Sequence, residues 1–270
     1  MEDSRSCRQK WALILGASSG FGAAAGLALA RNGFQIFGVH LDRRATLPNA
    51  ERISSEIRSL GRKVMFFNAN AADPACREAI IEACRQEVAS TPGCAGIEAV
   101  LHSLAFGSLK PYISDSPKSA IKPADMNMTL DVMAHSLVYW VQDLLAAGLL
   151  PRGAKIFAMT SAGGHRVWQG YGAVSAAKAA LESHIRQLAV ELAPYGISAN
   201  ALRAGLTDTP AARKIPGSER MFARALEGNP GKRLTTPEDV ADALVGLISC
   251  SSSWLTGNVI GIDGGEDLTG

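Results

Sequence analysis

The sequence has few cysteines, no long apolar run and no block of basic residues. Its cysteines are five in number and scattered along 270 residues, without CxxC or Cys/His spacing, at Cys7, Cys76, Cys84, Cys94 and Cys250. An odd and scattered set argues against a disulfide framework and against a zinc site. We therefore expect no metal and a reducing compartment, for which the cytoplasm fits best.

Membrane and nucleic-acid functions find little support in the sequence. No apolar run approaches the roughly 18 residues of a membrane span. The first ten residues are polar and unlike a signal peptide. The formal net charge is only +2, and no run of Lys or Arg forms a local basic patch for nucleic acid. We expect a cytoplasmic protein with neither a membrane nor a nucleic acid as partner.

Short apolar runs alternate with helical segments along the whole chain. There are seven such runs: WALIL (11–15), QIFGV (35–39), KVMFF (63–67), EAVLHS (98–103), KIFAMT (155–160), ISANAL (197–202) and NVIGI (258–262). Continuous apolar runs are typical of buried parallel strands, and crossover helices cover both faces of such a sheet. The pattern predicts an α/β fold, a Rossmann-like doubly wound seven-stranded parallel sheet. Without an internal repeat or a linker, residues 1–270 are expected to form a single domain.

The stretch GASSGFG follows the first strand and precedes an Ala-rich helical segment. Glycines let the backbone approach a pyrophosphate closely, and the free N–H groups at a helix start attract its charge. A strand, this turn and a helix within one βαβ unit are the context that a dinucleotide site requires. We predict that the turn binds a dinucleotide through Gly16, Ser18, Ser19, Gly20, Phe21 and Gly22.

The second strand ends in VHLDRR, where the adenosine ribose of a dinucleotide is expected. An acid at the strand tip accepts from the 2′-OH of NAD, whereas arginine accommodates the 2′-phosphate of NADP. The signs are mixed, because His40 is at the tip, Asp42 lies two residues beyond, and Arg43 and Arg44 follow. We predict NADPH, bound near His40, Arg43 and Arg44, and leave NADH open. The alternative is that both arginines are merely solvated loop charges.

Two further strand ends carry polar residues. Asn70 and Ala71 follow the third strand and are expected to border the adenine, whereas Asp73 is expected to cap the next helix. His102 ends the fourth strand, at the edge where such sheets bind ligands. We interpret His102 as a packed, hydrogen-bonded residue rather than as a titrating one.

A hydroxyl, a phenol and an ammonium group follow the fifth strand. Ser161 ends the strand, and Tyr171 and Lys178 are seven residues apart. If this segment is helical, the gap is two turns and both side chains share a face. A phenol beside a cation is a candidate proton donor, because the cation lowers the pKa of the phenol. Taken alone, such a pair is more often a surface or packing feature.

Together these motifs resemble the short-chain dehydrogenase/reductase family over nearly the whole chain, with AGLTDTP (204–210) and LTGNVIGIDGG (255–265) as further matches. The resemblance implies that Lys178 holds the nicotinamide ribose and that Ser161 hydrogen-bonds a substrate carbonyl. It also implies a homotetramer. The cofactor is further expected to contact residues after the fourth and sixth strands, namely Ser103, Leu104, Ala105, Gly205, Thr207 and Thr209. Both threonines have an alternative role as turn or cap hydroxyls.

The tyrosine is displaced from its usual place in that family. The common spacing Tyr-x3-Lys puts the tyrosine at position 174, where this chain has Val174, and Tyr171 lies one turn earlier. The spacing Tyr-x6-Lys, together with HSLAF at 102–106, resembles the branch that contains the enoyl-acyl carrier protein reductases. The best-known of those enzymes carry a second tyrosine where this chain has Ser161, the residue of ordinary ketone reductases.

The asparagine that many family members carry on the fourth helix is absent here, and Met133 stands in its place. A proton relay through that asparagine is therefore not expected. His135 and Ser136 are nearby candidates to replace it.

A substrate lid is expected at about 206–234, by resemblance to the family. From residue 210 to 234 the segment has six basic residues against Glu219 and Glu227. An acidic acyl carrier protein would be steered to such a patch, although a merely solvated face fits the same pattern.

The leading hypothesis is an NADPH-dependent reductase of trans-2-enoyl thioesters, carried by acyl carrier protein or CoA. Tyr171 would serve as oxyanion donor, Lys178 as ribose anchor and Ser161 as an auxiliary hydrogen-bonding group. The first alternative is a carbonyl reductase or dehydrogenase on a ketoacyl, steroid or other ketone/alcohol pair, which Ser161 favours and Val174 opposes. The second is a dinucleotide-binding protein without catalysis.

Overall fold

The computed structural model describes residues 9–116 and 118–269. Cys7 and the polar N-terminal stretch on which the signal-peptide argument rests lie outside these residues. The described chain folds around a seven-stranded sheet in the order β3-β2-β1-β4-β5-β6-β7. Every strand pair is parallel.

The strands agree with the seven predicted runs to within two residues at each end. They are β1 Lys10–Leu15, β2 Phe34–His40, β3 Val64–Asn68, β4 Ile97–His102, β5 Lys155–Ser161, β6 Ser198–Ala204 and β7 Val259–Ile262. The central strands are buried along almost their whole length. The prediction of a doubly wound parallel α/β sheet is confirmed.

Helices cover both faces of the sheet. They are α1 Gly20–Arg31, α2 Leu47–Ser59, α3 Pro74–Ser90, α4 Pro123–Leu130, α5 Ser136–Ala146, α6 Gly172–Glu191, α7 Ser218–Gly228, α8 Pro237–Ser249 and α9 Glu266–Thr269. One apolar core includes buried side chains of α3, α5 and α6, such as Trp140 and Leu181. The other includes those of α1, α2 and α8, such as Leu29 and Leu244.

The helical region between β4 and β5 is interrupted by a π-helical turn. This turn, Asp131–His135, lies between α4 and α5 and contains the buried Met133. Such turns insert one residue into a helix and are frequent at functional sites. The expected cap at Asp73 is present, because its carboxylate accepts from the Cys76 N–H at 2.8 Å. Thr236 caps α8 in the same way.

The strand order places a crevice at the carboxyl edge of the sheet. From β1 the chain proceeds outward through β2 and β3, and then returns to the other side of β1 with β4. Ligands of open α/β sheets bind outside the carboxyl ends of the strands at such a switch point. No helix among the described residues has the length and apolar character needed to cross a membrane.

Candidate active site

The Gly-rich turn is held by close backbone contacts at the carboxyl end of β1. Gly16 and Gly20 have φ angles of +93° and +52°, which side-chain-bearing residues rarely adopt. A Cβ on Gly22 would lie 2.0 Å from the Gly16 carbonyl oxygen. Ser19 precedes α1 as its N-cap residue and leaves the first N–H groups of the helix unpaired by its side chain. The turn therefore fits a pyrophosphate, which needs a close backbone approach and free N–H donors.

The turn also contacts two neighbouring strand ends. A Cβ on Gly16 would lie 2.5 Å from the Ser103 carbonyl oxygen, just after β4. A Cβ on Gly20 would lie 3.5 Å from Cγ2 of Thr209, in the segment after β6. The structure thus brings together three of the segments predicted to bind the cofactor.

The tip of β2 carries a small polar cluster around Asp42. The Asp42 carboxylate lies 2.8 Å from Nδ1 of His40, which is buried. Burial would raise the pKa of Asp42, but the side chains of Ser18, Thr46 and His40 lower it. Asp42 therefore links the β2 tip to the Gly-rich turn as an anion.

The remaining predicted cofactor residues lie along the same edge, and several of them have local partners. Asn70 Oδ1 accepts from the Ala72 N–H, and the Ala71 carbonyl accepts from the Trp140 indole. The Thr207 hydroxyl donates to the Gly205 carbonyl at 3.0 Å. The Thr209 hydroxyl accepts from the Ala212 N–H at 3.1 Å. Leu104, Ala105 and Phe21 complete the edge, and Arg43 and Arg44 are exposed.

Tyr171 and Ser161 meet at the end of β5. Tyr171 is the N-cap residue of α6 rather than part of the helix. A Cβ on Gly163 would lie 2.5 Å from Cε1 of Tyr171 and 3.2 Å from Oγ of Ser161, so both side chains surround this glycine. Ser161 Oγ is buried, and it interacts with the neighbouring Tyr171 phenol.

The electrostatics of the phenol differ from the sequence-based expectation. Burial raises the pKa of Tyr171, and the nearby Ser161 hydroxyl opposes this shift only in part. Lys178 contributes no lowering of the pKa of Tyr171. Its Nζ donates to the Met159 carbonyl oxygen at 2.7 Å. Tyr171 is consequently a neutral phenol at physiological pH, which makes it a hydrogen-bond donor.

Lys178 is buried, and the negative charge of Glu182, also on α6, acts on its ammonium group. Burial lowers the pKa of Lys178 to about 8, and the negative charge of Glu182 opposes the shift. Glu182 lies one turn later on the helix and accepts from the Thr160 hydroxyl at 2.7 Å. No motif in the sequence indicates a role for Glu182, although its i, i+4 spacing from Lys178 places both on one helix face.

His102 is the packed residue that the sequence predicted. It is fully buried, and its Nε2 lies 2.9 Å from the Ser136 hydroxyl. Burial, aided by the charge of Lys178, lowers the pKa of His102 to about 3, so this ring stays neutral. The ring nitrogens of His135 and His184 lie 3.0 Å apart. Both candidates for the missing asparagine therefore already have partners.

Position 174 is enclosed by another loop. Val174 is 5% exposed, and a Cβ on Gly107 would lie 2.9 Å from its Cγ2. The loop after β4 thus packs directly on the residue that occupies the usual tyrosine position of the wider family. Tyr112 of the same loop lies against Gly172, at the start of α6.

Residues 16–266 match the sequence profile of the family described as enoyl-(acyl carrier protein) reductase. The chain belongs to this family. It is a nicotinamide-dependent oxidoreductase related to the short-chain dehydrogenases/reductases, and the resemblance stated from its motifs is confirmed.

Individual relatives within this family differ in what they act on. The chain is 29% identical over 263 residues to 1-cyclohexenylcarbonyl-CoA reductase of Streptomyces collinus, an alignment that covers 97% of this chain and 88% of that protein. It is also 29% identical over 280 residues to cyclohexanol dehydrogenase of Rhodococcus sp. (strain TK6), with 98% of each chain covered.

A solved structure shares the fold over nearly the full length. The enoyl-[acyl-carrier-protein] reductase (NADH) of Aquifex aeolicus VF5 superposes with a TM-score of 0.82, at 24% identity and with 97% of each chain covered. At this identity the likeness establishes the fold.

No group of three or more His, Cys, Asp or Glu side chains within residues 9–116 and 118–269 is arranged to hold a metal ion.

The close contact at Gly22 yields a test of the cofactor turn. Gly22→Ala should weaken binding of the nicotinamide cofactor at least about tenfold, or about 1.4 kcal/mol, because the added methyl collides with the Gly16 backbone and displaces the turn. Gly26→Ala is the matched control on the same helix, since its Cβ would meet only side-chain atoms, of Ile14 at 3.3 Å and of Ile57 at 3.8 Å. Titration of cofactor fluorescence measures both affinities. Wild-type affinity in Gly22→Ala would contradict the assigned role of the turn.

Proposed function

We propose that the protein reduces the carbon–carbon double bond of trans-2-enoyl thioesters with NADPH. The position of the phenol is the observation that carries this proposal. Position 174, the usual tyrosine position in ketone-reducing members of the wider family, is filled by Val174 beneath the loop at Gly107. The phenol beside the buried Ser161 hydroxyl belongs instead to Tyr171, one turn earlier.

The displacement matches the chemistry of a conjugated thioester. In ketone reduction the hydride and the proton arrive on adjacent atoms. In enoyl thioester reduction the hydride arrives on the β-carbon and negative charge develops on the thioester oxygen, farther along the conjugated chain. Three residues of helix correspond to about 4.5 Å, so a phenol displaced by one turn reaches toward that more distant oxygen.

The protonation states suit these roles. A nicotinamide cofactor, when bound, would supply the hydride, and water would supply the proton that completes reduction at the α-carbon. Tyr171, kept neutral by burial, donates a hydrogen bond to the thioester oxygen as its charge develops. The Lys178 ammonium anchors the cofactor ribose, and Ser161 offers a second hydroxyl.

Exposed apolar side chains on the loops after β4 and β5 support an acyl substrate. Phe106 and Ile113 after β4 are 62% and 89% exposed, and Val167 after β5 is 96% exposed. The two loops touch, since a Cβ on Gly170 would lie 3.0 Å from the Leu109 carbonyl oxygen. Exposed apolar groups concentrated on adjoining loops are typical of a binding surface.

We further propose that residues at about 206–234 form a substrate lid that docks acyl carrier protein. Helix α7 in this segment buries none of its residues, which is consistent with a movable cover. Arg220 and Arg224 are both exposed on it. Trp168, close to Tyr171 in the chain, donates its indole N–H to the Pro216 carbonyl at 2.9 Å, just before the helix.

Assembly into a homotetramer and a cytoplasmic location stay predictions from the sequence.

The preference for NADPH is supported by the charges around the β2 tip. The Asp42 carboxylate is already engaged by His40 and interacts with Ser18 and Thr46, which limits its capacity to accept from a ribose 2′-OH. Arg43 and Arg44 are exposed and form no ion pair among the described residues. Two free guanidinium groups favour a 2′-phosphate.

Reduction of a carbonyl group is the second candidate function. Ser161 favours it, because ordinary ketone reductases carry serine at this position. The relative named cyclohexanol dehydrogenase is as similar to this chain as the CoA-ester reductase is.

Parallel assays separate the two functions. Nicotinamide absorbance is followed with crotonyl and acetoacetyl thioesters at equal concentration. Oxidation with crotonyl thioester supports the proposal, whereas oxidation with acetoacetyl thioester alone favours carbonyl reduction.

Removal of the Tyr171 hydroxyl tests the oxyanion donor. Tyr171→Phe should lower kcat with crotonyl thioester at least about 100-fold, the usual cost of losing one oxyanion donor, and leave NADPH affinity nearly unchanged. Tyr195→Phe, which removes an exposed hydroxyl beyond the end of α6, is the control. Undiminished turnover in Tyr171→Phe would sink the assignment.

The two arginines after β2 test the cofactor preference. Arg43→Ala/Arg44→Ala should raise the KM for NADPH about tenfold or more, because hydrogen bonds to a charged phosphate are lost, and leave the KM for NADH unchanged. Arg58→Ala, an exposed change on α2, serves as control. An unaltered KM for NADPH would mean that the arginines are only solvated charges.

Charge reversal on α7 tests carrier docking. Arg220→Glu/Arg224→Glu should lower kcat/KM about tenfold with a carrier-bound substrate and much less with the CoA thioester, since only the carrier is a large acidic partner. Arg52→Glu/Arg58→Glu on α2 makes the same change in net charge elsewhere. Equal losses on both substrates would rule out carrier docking on this helix.

A further inference from the structure

The side chain of Asp267, in the one-turn helix α9, is surrounded by three basic groups. It is 11% exposed. Its Oδ1 lies 2.7 Å from an Arg166 guanidinium nitrogen and 3.0 Å from Nε2 of His165. Its Oδ2 lies 3.0 Å from Nη1 of Arg203. A second hydrogen bond joins Arg166 to the Asp267 backbone carbonyl at 2.7 Å.

These contacts keep the carboxylate charged. Burial would raise the pKa of Asp267, but the hydrogen bond from His165 and the charges of Arg203, His165 and Arg166 lower it. Removing one partner of a largely buried ion pair is costly because the other charge is left without compensation.

The partners of Asp267 lie on both sides of the catalytic end of the sheet. His165 and Arg166 belong to the loop between Ser161 and Tyr171. Arg203 lies on β6, next to its last residue. Asp267 thus ties the loop that carries the phenol to the neighbouring strand.

The preceding residue, Glu266, holds a different segment. Both of its carboxylate oxygens accept from the Leu206 N–H, at 3.2 and 3.0 Å. A Cβ on Gly205 would lie 3.0 Å from Glu266 Oε2, so the contact is tight. Leu206 precedes Thr207, in the segment expected to contact the nicotinamide.

A third side chain of the same helix reaches the end of α7. The Thr269 hydroxyl donates to the Gly228 carbonyl at 2.8 Å. Next to it, the Asn229 amide donates to the Asp263 carbonyl at 2.9 Å. Three side chains of α9 therefore contact three segments: the loop between Ser161 and Tyr171, the segment after β6 and the end of the predicted lid.

We propose that α9 is a clamp that positions the active site, in which Asp267 fixes the Tyr171 loop and Glu266 fixes the cofactor segment after β6. Neither residue touches the reacting atoms, so both are positioning residues. The identity of the reaction that they support rests on the proposed function, whereas the clamping itself does not.

Hydrogen exchange of the free protein tests the clamp without turnover. In Asp267→Asn, amides of residues 162–171 should exchange at least about fivefold faster than in the wild type, because local opening becomes easier. Asp143→Asn is the matched control, since it removes a 2.6 Å ion pair with Arg77 between α3 and α5. Unchanged exchange in Asp267→Asn overturns the proposal, even for a protein that does not reduce enoyl thioesters.

Two kinetic patterns distinguish positioning from a general loss of stability. Asp267→Asn should lower kcat about tenfold, through a misplaced phenol, with little change in NADPH affinity. Glu266→Ala should weaken NADPH binding, and Glu266→Gln should restore it, because the amide oxygen still accepts from Leu206.

A second variant tests the same link in case Asp267→Asn does not fold. Arg166→Gln cuts the same link from the loop side and should reproduce the exchange pattern and the fall in kcat. The clamp proposal is contradicted if all of these variants lose kcat, NADPH affinity and melting temperature together. It requires that Asp267→Asn mainly lowers kcat and that Glu266→Ala mainly lowers NADPH affinity.

Discussion

The backbone packs so closely at the end of β1 that Gly16 and Gly22 have no room for a side chain. The position of the candidate active site depends on this close packing. A Cβ on Gly16 would collide with the Ser103 carbonyl, and one on Gly22 with the Gly16 carbonyl. Gly38 of β2 is equally tight, because its Cβ would lie 2.4 Å from the Phe66 ring. These contacts draw three strand ends and the start of α1 into one compact edge. The remaining groups of the site are placed relative to that edge.

Burial then determines which groups at this edge are charged. The same desolvation raises the pKa of Tyr171, lowers that of Lys178 to about 8 and lowers that of His102 to about 3. Near neutral pH the centre therefore holds one neutral phenol, one neutral imidazole and one ammonium. The negative charge of Glu182 opposes the lowering of the Lys178 pKa.

Local patterns were enough to predict the fold, since all seven strands follow from continuous apolar runs. The Gly-rich turn likewise follows from its place between a strand and a helix. Burial of Tyr171 and its raised pKa did not follow, because the packing of Gly163 on the phenol depends on tertiary structure. The contacts of Asp267 with Arg166 and His165 span 101 and 102 residues, respectively, so no local pattern could signal them.

The π-helical turn Asp131–His135 sets the rotation of everything that follows it on α5. Its extra residue turns the helix by about 100°, the angle of one residue in a turn of 3.6. As a result Ser136 reaches His102, and Leu137 and Trp140 enter the core. Deleting a single residue here would shorten the chain very little, yet it would rotate three inward-facing side chains away from the sheet at once. The π-helical turn therefore determines which side chains of α5 face the sheet.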